Sequence, residues 1–147
     1  MSKINKLFVV SDVHGYLSPL QAALASAGFD KNDPAHIFIC CGDLFDKDNL
    51  SDEFLDFISG LQHKILILGD REEALSESEG ISEALRALIQ DMRNYYETEN
   101  YLFVHGWIPS ETDFRTAPVE TFPQSHTTGA YRVPGLGTPA EADPQGI

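Results

Sequence analysis

The chain has 147 residues, 42% of them apolar, which is enough for one domain with its own core and excludes wholesale disorder. Its formal net charge of -13 leaves no footprint for a nucleic-acid duplex or an anionic membrane, and it repels a polyanionic substrate unless cations are bound at the site. No apolar run reaches the roughly 18 residues of a spanning helix, no signal-peptide pattern follows Met1, and the neighbours Cys40 and Cys41 point to opposite faces of a strand and do not bridge. A reduced, cytoplasmic setting is therefore expected.

Leu7 to Val10 is a short apolar run of strand formers, as in a buried parallel strand, and it stops at Ser11-Asp12-Val13-His14-Gly15. Leu17 to Ala27 reads as a helix with Leu17, Leu20 and Leu24 on one face and Gly28 as its stop. Ile37 to Cys41 is the second buried strand, ending at Gly42-Asp43. Ser51-Asp52-Glu53 opens a second helix that carries Phe54, Leu55, Ile58 and Leu61. Ile65 to Leu68 is the third strand, ending at Gly69-Asp70, and Ile81 to Met92 is the third helix. Tyr95 to Glu97 and Tyr101 to Val104 pair as an antiparallel hairpin around Glu99-Asn100, and the second of them ends at His105-Gly106. From 109 to 147 proline is frequent and no apolar period survives, so an irregular tail is expected after a core over 1–108. The order βαβαβα plus hairpin argues for an α/β sheet with flanking helices, in which ligands collect beyond the carboxyl ends of the strands.

Four strands end at residues of metal-binding type. Asp12 and His14 are two apart, so on an extended chain they face the same way, and a carboxylate beside an imidazole suits a borderline transition metal. Asp43 emerges at the end of the second strand, where its two oxygens can bridge two ions, and Asp46 looks back after a tight turn. Asp48 and Asp52 are read as solvated acids. Gly69-Asp70-Arg71-Glu72 taken alone reads as a strand-to-helix turn with acids favouring the helix start. His105 directly follows the fourth strand. Mixed carboxylate and imidazole ligands suit Mn, Fe or Zn better than Ca.

Read together, Val9-Val10-Ser11-Asp12-Val13-His14-Gly15, Cys41-Gly42-Asp43-Leu44-Phe45-Asp46, Gly69-Asp70-Arg71-Glu72 and Phe103-Val104-His105-Gly106-Trp107 resemble the motifs of the calcineurin-like metallophosphoesterases. Nearest among these are the serine/threonine protein phosphatase and symmetrical dinucleoside tetraphosphatase branch. The resemblance covers about residues 6 to 108. It implies two divalent metal ions and hydrolysis of a phosphate ester by a metal-bound hydroxide. It implies Asp12 and His14 on the first metal, Asp43 bridging, Asp70 and His105 on the second, and Asp46 as the acid that orients a catalytic residue. The implied substrates are a phosphoprotein, a dinucleoside polyphosphate or a small phosphomonoester.

The chain departs from that pattern in places that bear on turnover. Asp70 stands at the family's Asn, and its added charge weakens the second metal as a Lewis acid. Arg71 stands at the family's catalytic His; a guanidinium donates no proton to a leaving group but can pair with Asp46 or grip a phosphate oxygen. Lys47 stands at the Arg that follows the second motif and offers phosphate a point charge, or is a solvated surface lysine. His126, in Ser125-His126-Thr127, is the candidate for the final histidine ligand, although it lacks the preceding Gly. His36 and His63 precede their strands, at the opposite edge from the site, and are expected on the surface. The rival reading is a metal-binding pseudoenzyme of the same fold. An aspartyl-phosphate phosphatase needs Asp-X-Asp where this chain has Asp12-Val13-His14, no Gly-X-Gly-X-X-Gly follows the first strand, and the Walker and Gly-X-Ser-X-Gly motifs are absent.

Overall fold

The computed structural model describes residues 5–106 and 129–132. A parallel sheet of β1 (Lys6–Val10), β2 (His36–Cys40) and β3 (Lys64–Leu66) forms in that spatial order. Its register pairs Val10 with Cys40 and Cys40 with Leu66, so the three carboxyl ends lie level along one edge. Parallel neighbours need a crossover, supplied here by α1 (Leu17–Ala27) and α2 (Asp52–Ser59). Because crossovers are right-handed and the strands pair in chain order, both helices cover the same face.

β2 is buried on both faces, and its side chains alternate between two apolar clusters. Phe38 and Cys40 pack with Leu20 and Leu24 of α1 and Phe54 and Ile58 of α2. Ile39 and the following Cys41 pack with Phe103 on the other side. This alternation is the expected period of two, and it keeps the two free thiols apart. Burial, then the nearby Asp12, pushes the Cys41 thiol up to about 12, so it stays protonated.

Phe103 belongs to a second, antiparallel sheet of β4 (Tyr95–Glu97), β5 (Tyr101–Val104) and β6 (Gly129–Arg132). The hairpin expected around Glu99-Asn100 forms with Tyr95 opposite Val104. The strand β6, which pairs antiparallel with β5, lies inside the stretch expected to be an irregular tail. The two sheets are joined by a parallel bridge from Ile67 to Arg93.

Helix ends follow their side chains. The Ser51 and Ser82 hydroxyls accept the amides of Phe54 and Leu85, capping α2 and α4 (Glu83–Gln90). The cap at Ser82 explains why the third expected helix starts later than Ile81. A helix that the sequence reading gave only as a turn, α3 (Asp70–Ser76), follows β3; it buries Leu75 and Glu72 and has no apolar stripe long enough to announce it. His63 is exposed as expected, whereas His36 is buried. The His36 ring accepts the Asp30 amide and packs on Phe8, which satisfies a polar group at the sheet's far edge. No helix among the described residues is long and apolar enough to cross a membrane.

Candidate metal centre

The turns that follow β1 and β2 are bonded to each other. The Asp12 amide donates to the Gly42 carbonyl, His14 to Asp43, and Gly15 to Leu44. Three non-glycine residues hold left-handed backbone here: Asp12 (φ 56), His14 (φ 52) and Asp43 (φ 54). Each such residue costs roughly 1–2 kcal/mol, and strain of this kind survives where the surroundings over-determine it, most often at functional sites. Asp12 and His14 therefore converge through left-handed turns, not through the strand alternation expected from their spacing. The outcome is similar, with His14 Nε2 lying 3.9 Å from an Asp12 oxygen.

One ligand atom each from Asp12, Asp43 and His105 fall within 4.8 Å of one another. His105 Nε2 is also 2.9 Å from Asp70 Oδ1 and 3.7 Å from Asp43 Oδ1. Short distances thus link Asp12, His14, Asp43, Asp70 and His105, which come from four strand ends. His105 Nδ1 is 2.9 Å from the Cys41 carbonyl, which can only accept, so Nδ1 carries the proton and Nε2 faces the carboxylates. Burial pulls the His105 pKa down, but the Asp43 carboxylate, the Cys41 carbonyl and Asp70 outweigh it and hold it above the ordinary value. Burial raises Asp43, against the Arg71 amide and His105. Burial opposes ionisation of Asp70 too, yet hydrogen bonds from His105 and Asp43 leave its pKa lowered.

Converging carboxylates, an imidazole lone-pair position aimed among them and backbone strain at three of the converging residues all fit divalent cations. The donor set of carboxylate oxygens and imidazole nitrogens suits a transition metal.

Asp46 places Oδ2 3.2 Å from His14 Nδ1 and accepts the Asp48 amide on Oδ1 at 3.0 Å. That amide chiefly holds its carboxyl below the usual range, with Arg71 and His14 adding to it. The Arg71 amide donates to Asp43 Oδ1 at 3.0 Å. Its side chain is exposed and, with Lys47, lines a cavity of about 260 Å³. His126 lies outside the described residues.

Glu72 was not singled out from the sequence, where it read as one of several acids at a helix start. It is fully buried. One oxygen accepts the amides of Asp43 (2.8 Å) and Gly69 (3.1 Å), and the other accepts that of Phe45 (3.1 Å). Burial pushes its pKa up to about 7, while the amides oppose the rise. This carboxylate ties the Asp43 turn to the start of α3. Two glycines allow the same closeness: a Cβ on Gly42 would overlap the His105 ring, and one on Gly69 would overlap the Asp43 carboxylate.

A family model for calcineurin-like phosphoesterases matches residues 6–133. Comparison with curated proteins finds no significant match. Among solved structures, the chain is similar to a "putative diadenosine tetraphosphatase" (TM-score 0.62, 14% identity, covering 75% of this chain and 54% of that one). It is also similar to a metallophosphoesterase from Sphaerobacter thermophilus (TM-score 0.53, 17% identity, covering 71% and 48%). The chain thus spans about half the length of these solved relatives.

Proposed function

The chain belongs to the calcineurin-like phosphoesterase family, and we propose that it is a phosphoester hydrolase working through two divalent cations. The observation that carries this reading is the convergence of Asp12, Asp43 and His105, joined by Asp70 and His14, from separate strand ends. Asp12 and His14 would hold a first ion and Asp70 and His105 a second, with Asp43 between them and His126 the remaining histidine candidate for that set. Bound Mn, Fe or Zn ions would supply Lewis acidity toward the phosphoryl oxygens and lower the pKa of water for attack at neutral pH.

The protein's own groups do the rest. His105 is oriented by the Cys41 carbonyl and His14 by Asp46. Lys47 and Arg71 offer positive charge to a phosphate that the acidic surface otherwise repels. Phosphoproteins, dinucleoside polyphosphates and small phosphomonoesters are the substrate classes, and the two buried free thiols agree with a cytoplasmic setting.

Arg71 cannot protonate a leaving alkoxide, so esters with acidic leaving groups are hydrolysed faster than alkyl esters. The test is metal analysis followed by phosphate release from a series of esters, repeated on Asp43→Asn and Arg71→His. Asp43→Asn is expected to lose metal and activity, and Arg71→His to gain on alkyl esters. Equal rates across the series count against the reading. The second reading, a metal-binding pseudoenzyme, is favoured by the 2.9 Å Asp70–His105 contact, which adds negative charge where phosphate would bind. Metal uptake with no phosphate release from any ester would select it.

A further inference from the structure

Two cavities lie between the same two stretches of chain, both of which lead on from loops of the candidate metal centre. One stretch runs from Phe45 through the short 3-10 turn Lys47–Asn49 into α2, and the other is α3 with the loop into α4. The first cavity, about 260 Å³, is lined by Lys47, Arg71 and Ser78 over an apolar floor. Among the described residues neither cation is held in an ion pair. Lys47 follows Asp46, which bonds His14, and Arg71 follows Asp70, which bonds His105, so both cations adjoin the metal centre.

The second cavity, about 310 Å³, has a different character: Phe45, Leu50, Leu55, Ile81 and Leu85 form its wall. The Ser51 and Ser82 hydroxyls on its rim already cap helices. Leu50 is 44% exposed although it is a large aliphatic residue. It also follows Asn49, whose side-chain amide donates to the His14 carbonyl at 2.9 Å. Phe45, whose amide is held by the same Glu72 carboxylate as that of Asp43, and Leu50, next to the Asn49 that bonds His14, tie this apolar wall to the loops that carry the candidate ligands, a placement that suits an ester with its phosphate at one end and an apolar group at the other.

We propose that the second cavity is a leaving-group pocket and that the site's substrates are aryl phosphate esters. This rests on the hydrolase reading above and narrows it. Two independent features select the same group. The apolar wall favours a ring over a polar alcohol, since apolar burial is its main attraction. Arg71 supplies no proton, so the departing oxygen must leave as an anion, which an aryloxide, stabilised by delocalisation into its ring, does far more readily than an alkoxide. In the balanced step, phosphorus gains a bond to a water-derived oxygen. The bond from phosphorus to the aryl oxygen breaks, with its electron pair leaving on the aryloxide, and the protons from water go to solvent.

The test uses non-hydrolysable mimics on the Mn-loaded protein, with calorimetry comparing benzylphosphonate and ethylphosphonate. Benzylphosphonate is expected to bind about tenfold more tightly, since burying a ring is worth more than the 1.4 kcal/mol of a decade. Leu50→Ser, on a partly exposed side chain, should bring the ratio toward one. So should Gly80→Phe, because a side chain at Gly80 grows into open space at this cavity. Equal binding of the two mimics by the unaltered protein overturns the inference and leaves the hydrolase reading standing. A ratio that survives both variants with their melting temperatures intact also overturns it. Binding of neither mimic by a protein that holds Mn removes both.

Discussion

Glu72 satisfies three backbone amides with one buried carboxylate and so joins the turns after β2 and β3, which the Arg71 amide to Asp43 carboxylate bond also links. In Glu72→Gln one oxygen becomes an NH2 group that faces a donor. If the NH2 replaces the oxygen at Phe45, an amide N–H is left unsatisfied in the interior. A loss of roughly 1–3 kcal/mol in unfolding free energy is expected from urea titration. Asp46, bonded to His14, is expected to act on metal more than on stability. Asp46→Asn keeps a group that can cap the 3-10 turn but removes the charge behind His14, so Mn affinity should fall about tenfold in chelator competition. The unfolding midpoint of the metal-free protein should barely move. At this scale the sequence was informative about ligand candidates because four strand ends in succession carry Asp or His, a coincidence that no single one of them, with its ordinary uses in turns and caps, would show. It was silent on Glu72, because an acid at a helix start has a sufficient explanation in the helix dipole.

The strand ends act as a unit, and the glycines show how tightly they close. Gly42 has φ 97, and its missing Cβ leaves room for the His105 ring. Gly42→Ala imposes left-handed strain of about 1–2 kcal/mol and forces the ring away from the Cys41 carbonyl. Both the unfolding free energy and Mn binding are expected to drop, as read by urea titration and calorimetry. A variant as stable and as metal-competent as the original would mean that the ring has another position. The first two strands, α1 and the β4–β5 hairpin were legible because each is an unbroken or periodic apolar run bounded by Gly, Asp or Asn. α3 was not, since seven residues with one buried leucine carry no period. Nor was β6, since Gly129-Ala130-Tyr131-Arg132 has neither alternation nor an apolar run, and its position is set by pairing with β5. The left-handed turns escaped for a similar reason. Asp12, His14 and Asp43 adopt them because the loops bond to each other, a tertiary effect that local spacing does not encode.

For the whole molecule, 23 acids against 10 lysines and arginines make every added carboxylate at the strand ends costly. Asp12, Asp43 and Asp70 nonetheless gather there, with Asp46 beside them. If these residues hold cations as proposed, the folded state binds them better than the unfolded chain, in which these residues are spread over 59 positions of sequence from 12 to 70. Binding to the folded state alone stabilises it by about 2.7 kcal/mol when free ion is at 100 times its dissociation constant. Each kcal/mol moves the melting temperature of a domain this size by roughly 2–8 °C. Adding Mn to a chelated sample should thus raise the melting temperature by several degrees, and Asp43→Asn should abolish the shift. Generic charge screening predicts otherwise: sodium chloride at matched ionic strength would then reproduce the effect, and the variant would keep it. A shift specific to Mn and dependent on Asp43 ties the stability of the fold to the residues that carry the chemistry.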